Sequence, residues 1–202
     1  MTAGRYIALE GAEGCGKSTQ AARLAHELPA LLTRETGGTA IGARIREILH
    51  DTSVTDLADR AEALLTAADR AQHLEQVVVP ALTAGRHVVS DRSVFSTLAY
   101  QGYGRELDVD EVRAINAWAI HGRWPELVVL LDAPGHVLDA RLAGRELDRF
   151  EREHPQFHAR VRDGFRTMAA DEPDRWVVVD ATLTPDQVAA AIRACVRERL
   201  GI

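Results

Sequence analysis

The chain has almost no lysine. Of its 24 basic residues 23 are arginine, and the one lysine is Lys17. A chain that carries its other positive charge on planar guanidinium groups keeps a compact ammonium at one place, which marks that place. Cysteine is nearly absent as well. Cys15 lies in a glycine-rich loop and Cys195 in a helical pattern, so neither a structural disulfide nor a thiolate metal site is expected. No apolar run reaches membrane-spanning length and no secretory leader is recognisable. A cytoplasmic protein without membrane contact is the expectation. Internal repeats, low-complexity tracts and interdomain linkers are missing too. The formal net charge is −6, which argues against a general nucleic-acid binder, so any basic site has to be local. Among the eight histidines, His154 and His158 stand four apart but lack the glutamate of a zinc-binding H-E-x-x-H helix.

Against these absences stands one dense motif. Gly11-Ala12-Glu13-Gly14-Cys15-Gly16-Lys17-Ser18 fits G-x-x-x-x-G-K-[ST], the phosphate-binding P-loop. The short apolar run Tyr6-Ile7-Ala8-Leu9 precedes it and reads as a buried strand, and a helical pattern runs from Thr19 to Leu28. Glycines let the loop curl so that backbone N–H groups converge, and the helix N-terminus adds partial positive charge. In that frame Lys17 reaches the β- and γ-phosphates and the Ser18 hydroxyl ligates Mg²⁺.

With 202 residues, 46% hydrophobic and 27% charged, the chain reads as one domain, residues 1–202, with a small lid. Strands are expected at residues 30–33, 87–91, 127–132 and 176–180 besides the first. A long helix is expected from Thr55 or Asp56 to about Ala84, kinked or shortened by Pro80. Another runs from Val94 to Tyr100 and gives way to a loop through Gly102 and Gly104. Further helices are expected at 109–120, capped by Asp108, at about 134–143 and 155–170, and from Thr184-Pro185 to about Leu200. Five short apolar strands alternating with helices predict an α/β fold of the P-loop NTPase type, a five-stranded parallel sheet with helices on both faces. In such sheets ligands sit at the carboxyl ends of the strands. The P-loop, Arg34, Asp91 and Asp132 all fall there.

Two further clusters carry chemistry. Asp91-Arg92 ends the third strand and combines a carboxylate for a metal-bound water or an attacking oxygen with a guanidinium fork suited to phosphate. Asp132 ends the fourth strand and is the rival metal-site acid. Arg141, Arg145 and Arg149 stand four apart around Gly144. Their spacing fits a mobile lid that brings guanidinium groups over a transferring phosphoryl group, and equally a solvated helix face.

Together the clusters resemble the thymidylate kinases of bacteria, in order and along the whole chain. Thr33-Arg34-Glu35-Thr36-Gly37-Gly38-Thr39 is similar to that family's T-R-E-P-G-G-T. The segments 61–65 and 67–73 resemble its nucleoside-binding helix, Asp91-Arg92 and Ala99-Tyr100-Gln101-Gly102 its D-R…A-Y-Q-G, and Glu146-Leu147-Asp148-Arg149 the end of its lid. The resemblance implies a nucleoside monophosphate kinase fold, transfer from ATP to dTMP with Mg²⁺, and a homodimer packed through helices. It implies that residues 11–19, Thr19 included, hold ATP, that Glu10 and Asp91 lie near the metal with Ser18, and that Arg92, helped by Arg34 and Arg46, binds the 5′-phosphate. Arg70 is then the partner of a thymine carbonyl, with Thr66, Thr97 and Gln101 nearby. Glu13 faces the 3′-hydroxyl and Tyr100 fills the space of a 2′-hydroxyl. Because the P-loop carries no extra arginine, the resemblance also makes Arg141, Arg145 and Arg149 the catalytic groups of a lid over residues 141–153.

Three positions depart from the family, all on the acceptor side. Thr36 stands where proline is usual, Ser93 where tyrosine or histidine is usual, and Thr66 where an aromatic stacks on the base. Phe95 is the candidate for a compensating aromatic. These departures keep two alternatives open: a kinase for another (deoxy)nucleoside monophosphate, and a regulatory P-loop nucleotide-binding protein.

Overall fold

The computed structural model describes residues 4–202. Five strands, β1 (Tyr6–Glu10), β2 (Leu31–Arg34), β3 (Val88–Asp91), β4 (Leu127–Asp132) and β5 (Trp176–Asp180), form one sheet in the order β2-β3-β1-β4-β5, every pair parallel. Side-chain alternation along the strands sorts the core. Ile7, Leu9, Leu127, Val129 and Leu131 face helices α1 (Lys17–Glu27) and α9 (Pro185–Leu200). Tyr6, Val88, Val128, Leu130 and Trp176 face the other way, onto Phe95, Phe157 and Phe165. Both faces are thus covered, as a sheet of apolar parallel strands requires.

The strand ends are in register. Leu9 pairs with Asp91, Arg34 with Asp91, and Asp132 with Asp180. The chain turns in opposite directions on leaving β1 and β3, so the P-loop and Asp91 flank a switch point of the sheet, where a crevice opens. Gly11 begins the loop at φ 140°, and a Cβ there would come within 2.5 Å of the Leu131 carbonyl oxygen. Only glycine lets the loop pass so close to β4.

Local signals hold in most places. Asp108 caps α6 (Val109–Ala119) by accepting from the N–H groups of Asp110 and Glu111. Thr184 and Gln187 form a reciprocal capping box on α9, with Pro185 in the first turn and Gly201 left-handed at the end. Helices α7 (Gly135–Leu142) and α8 (Pro155–Asp171) lie where the patterns put them, and α2 (Ala40–His50) carries the stripe of Ile41, Ile45, Ile48 and Leu49.

Two expectations change. The long helix α3 starts at Asp59, not at Thr55 or Asp56, and Ala58 precedes it without a side-chain cap. It runs to His73 and then widens into a π-turn, Leu74–Val78, before α4 (Val79–Thr83). Pro80 lacks an N–H and its ring would strike the carbonyl four residues back, and a widened turn absorbs both problems. The second change matters more. Short helix α5 (Val94–Thr97) does not give way to a loop but continues as a π-helix through Leu98–Gly104. Gly104 lets this segment press on α8, because a Cβ there would lie 2.6 Å from the Phe157 ring. Among the described residues, no helix is long and apolar enough to cross a membrane, and Cys15 and Cys195 are both free.

Candidate active site

A cleft of about 570 Å³ opens over the carboxyl ends of the strands. At one end lies the P-loop. Helix α1 begins at Lys17 behind left-handed Gly16, with neither a side-chain cap nor an acidic residue in its first turn. Its first N–H groups therefore remain available to an anion. Lys17 is buried, and its Nζ donates to the Ala12 carbonyl at 2.9 Å. The ammonium is held against the loop it serves.

Ser18 Oγ donates to Asp91 Oδ2 at 2.5 Å. The other carboxylate oxygen, Asp91 Oδ1, is buried and has no hydrogen-bond partner among the described residues. A hydroxyl beside an unpartnered carboxylate oxygen fits a hard cation such as Mg²⁺, which takes one or two carboxylates and completes its shell with water and phosphate. The rival acid is spent elsewhere: both oxygens of Asp132 accept from Arg166, at 3.0 and 3.2 Å, and Asp132 is not on the cleft wall. Glu10 is not on the cleft wall either. It is fully buried, its Oε1 accepts from the Ser93 N–H and Oγ at 2.7 Å each, and its Oε2 accepts from Ser96 Oγ at 2.6 Å. Burial raises its pKa against the lowering effect of Arg92 and the two hydroxyls. Glu10 fixes the turn after β3 and does not reach the cleft.

That turn aims Arg92. The residue sits at φ 73°, left-handed and unfavourable for a side chain of this size. Its N–H donates to Leu9 O at 3.0 Å, and its carbonyl accepts from Ser90 Oγ at 2.7 Å. The guanidinium pairs with Glu13, reaches the Tyr100 hydroxyl at 3.2 Å and lies 5.0 Å from the Tyr100 ring centre. Burial alone would raise the Glu13 pKa, but Arg92 and then Lys17 outweigh it and bring it down to about 2. Arg34 and Arg46 line the same part of the cleft. Burial, then the nearness of Arg34 and Arg92, lowers the Arg46 pKa.

At the far end Arg70 is fully buried, yet it reaches the cleft wall. Its Nε donates to Glu35 Oε2 at 2.8 Å, one terminal nitrogen to Thr97 Oγ1 at 2.9 Å and to Asn116, and the other to Ser93 O at 3.1 Å. A guanidinium has five N–H groups, so among the described residues this network leaves one free. Thr66, Thr97, Tyr100 and Gln101 complete the wall.

Sixteen of the expected site residues therefore line one cleft: Glu13, Gly14, Gly16, Lys17, Ser18, Arg34, Arg46, Thr66, Arg70, Asp91, Arg92, Thr97, Tyr100, Gln101, Arg141 and Arg145. Gly11, Ala12, Cys15 and Thr19 shape the loop and its helix without facing the cleft. Arg149 is not on the wall either; it turns away to Glu62 and the Leu49 carbonyl. Phe95 does not replace the missing aromatic. It is fully buried against Trp124 and Trp176, with ring centres 5.4 and 4.7 Å away. Phe150, which sequence reading passed over, lines the cleft instead. Its one signal is its place directly after Asp148-Arg149. Glu35 and Asn116 were missed too. Asn116 stands in the apolar stripe of α6 with Val112 and Ala119 buried on either side, and a polar residue in such a stripe points to a partner.

This arrangement has relatives. The sequence model of the family described as thymidylate kinase matches residues 9–192. A thymidylate kinase of Trichlorobacter lovleyi is 47% identical over 98% of this chain and 99% of its own length. One from Leifsonia xyli subsp. xyli is 50% identical over 94% of this chain and 93% of its own length. The crystal structure of thymidylate kinase from Ehrlichia chaffeensis superposes with a TM-score of 0.79 at 28% identity, covering 96% of this chain and 99% of that one. The P-loop, the Asp91-Arg92 turn and the buried Arg70 occur here within a chain that matches such proteins almost end to end, and the chain belongs to the thymidylate kinase family.

Proposed function

We propose that the protein transfers the γ-phosphoryl group of ATP to dTMP, giving ADP and dTDP. The observation that carries this reading is that the P-loop and the buried Arg70 line one continuous cleft with Asp91-Arg92 between them. The two ends suit two nucleotides whose phosphates meet in the middle. Lys17 and the N–H groups of α1 hold the donor phosphates. Arg92, with Arg34 and Arg46, holds the acceptor phosphate, one oxygen of which attacks the γ-phosphorus as its bond to the β,γ-bridging oxygen breaks. Arg70 spends its free N–H on a base carbonyl. Glu13 faces the 3′-hydroxyl, and Tyr100 closes the space of a 2′-hydroxyl. Arg141 and Arg145 approach from the lid and offset charge on the transferring group. Ser18 and Asp91 would hold Mg²⁺, which when bound neutralises phosphate charge. The chain works as one cytoplasmic domain with a lid at about 141–153.

An ADP-release assay with ATP and Mg²⁺ against dTMP, dUMP, UMP and the purine monophosphates tests this. One methyl group in an apolar pocket discriminates by roughly 10- to 200-fold, so dTMP is expected to exceed dUMP by at least the lower figure, and dUMP to exceed UMP. A different monophosphate with the highest kcat/KM makes Thr36, Thr66 and Ser93 the determinants of a changed acceptor. ATP binding without turnover of any monophosphate supports the regulatory reading.

The homodimer belongs to the same proposal. Leu64 on α3 and Trp118 on α6 are 55% and 79% exposed, and Ile48 on α2 and Ile115 on α6 are exposed beside them. These helices pack side by side, α3 against both α2 and α6. Large apolar side chains left out on adjoining helices suit a self-complementary interface. Light scattering at micromolar concentration is expected to give twice the chain mass, and Trp118→Asp with Leu64→Asp to give the monomer. A wild-type monomer refutes the dimer.

A further inference from the structure

Glu62 has no part in the transfer chemistry above, yet it is fully buried on α3 and gathers donors from two other segments. Its Oε1 accepts from Gln101 Nε2 at 2.8 Å and Arg105 Nε at 3.2 Å; its Oε2 accepts from Arg105 at 3.1 Å and from Arg149 at 2.6 Å. Burial would raise its pKa, but the bonds from Arg105, Gln101 and Arg149 bring it below the ordinary value. A buried carboxylate with this many donors is ionised and rigidly placed.

The lid hangs from this point. Arg149 Nε donates to Leu49 O at 2.7 Å, and His50 Nδ1 lies 2.8 Å from Asp148 Oδ2. Residues 148 and 149 are thereby fastened to the end of α2 and to α3, the two helices of the acceptor side. Phe150 follows at once. It is 7% exposed and lines the cleft. Its ring meets Tyr100 edge-on at 5.9 Å and His50 at 5.4 Å, with the Arg149 guanidinium 4.6 Å from its centre. Arg145, by contrast, pairs with Glu151 inside the lid itself.

We propose that Glu62 is a positioning residue that latches the root of the lid to the acceptor wall through Arg149 and so seats Phe150 in the cleft, leaving Arg141 and Arg145 as the lid's phosphoryl-transfer arginines. The inference rests on the kinase reading above. It makes the acceptor wall and the lid one mechanical unit: the segment that covers the phosphates is rooted in the helices that hold the acceptor.

Full-length Glu62→Gln, Arg149→Met, their double variant and Arg149→Lys test it. Loss of a buried charge-assisted bond is worth about 1.5–3 kcal/mol, or roughly 10- to 100-fold. Each of the first two substitutions is expected to raise the acceptor KM by about that factor, with the ATP KM changed less than about twofold. Sharing one interaction, they should be no worse together than apart. Arg149→Lys, which still reaches Glu62, should recover part of the loss. Trypsin, without any nucleotide, should cleave after Arg145 or Arg152 faster in Glu62→Gln and Arg149→Met than in wild type. If Glu62→Gln fails to fold, Arg149→Met carries the test alone, since it leaves Glu62 bonded to Arg105 and Gln101. A fall in kcat at unchanged acceptor KM in Arg149→Met returns Arg149 to phosphoryl transfer and overturns the latch. So do additive effects, or unchanged trypsin cleavage. If the wild type turns over no monophosphate, the kinase reading fails, and the trypsin comparison still decides the latch.

Discussion

Replacing Lys17 by alanine is expected to lower kcat/KM by about a thousandfold or more. Removal of one preorganised group that meets charge in the transition state costs about 10²- to 10³-fold, and in the proposed reading Lys17 also meets the donor in the ground state. Its surroundings make substitution by arginine nearly as harmful. Lys17 is 6% exposed, and its ammonium lies 2.9 Å from Ala12 O and 3.5 Å from Cys15 Sγ. A planar fork cannot enter that space and keep the same reach. Because the chain holds no other lysine, the residue is open to a chemical test as well. An amine-acylating reagent is expected to abolish activity in proportion to modification of one ε-amine per chain, and ATP with Mg²⁺ is expected to protect it. Mass mapping separates this amine from the N-terminal one. A Lys17→Ala variant within tenfold of wild type, or full modification with activity retained, removes Lys17 from the donor site.

The donor half of the cleft was legible because its parts are contiguous. Strand, loop and helix occupy one stretch of sequence, and the apolar runs at 127–132 and 176–180 coincide with β4 and β5. Beyond Arg34 and Asp91-Arg92, which the strand ends pointed out, the acceptor half was legible only through resemblance, since its wall is assembled from five segments. Periodicity at 3.6 residues is blind to the π-turn that carries Tyr100 and Gln101. It is equally blind to Arg149 donating across to α3, because nothing in a lone arginine says which carboxylate it meets. Phe95 shows the limit from the other side. It lies three residues beyond Arg92, but the helix that starts at Val94 turns it into the core. Besides Tyr100, the aromatic on the cleft wall is Phe150, which comes from the lid some fifty residues on.

The second large effect concerns Arg92 and the carboxylate it neutralises. Arg92→Ala is expected to lower kcat/KM for the acceptor by about 10²- to 10⁴-fold, with the ATP KM little changed. Two charge-assisted bonds to a phosphate are worth about 1.5–3 kcal/mol each, and 1.4 kcal/mol is tenfold. Part of the loss is repulsion, not merely a missing bond. In the wild type Arg92 and Lys17 hold the Glu13 pKa down to about 2, so Glu13 is ionised at neutral pH and paired. Without Arg92 that carboxylate faces a dianion. Adding Glu13→Gln to Arg92→Ala should therefore restore about tenfold, although Glu13→Gln alone should be mildly harmful. The same pair has a signature in stability. The depressed pKa of Glu13 contributes stability that is complete above the unfolded value of about 4.5 and is lost as pH falls toward about 2. Whatever stability Glu13 has over its glutamine replacement at pH 7 should thus shrink in acid, beginning below pH about 4.5. Thermal melts of both proteins from pH 7 downward measure it. A double variant no better than Arg92→Ala, together with parallel melting curves, would mean that Glu13 is not held ionised by Arg92, and the electrostatic account of this end of the cleft falls with it.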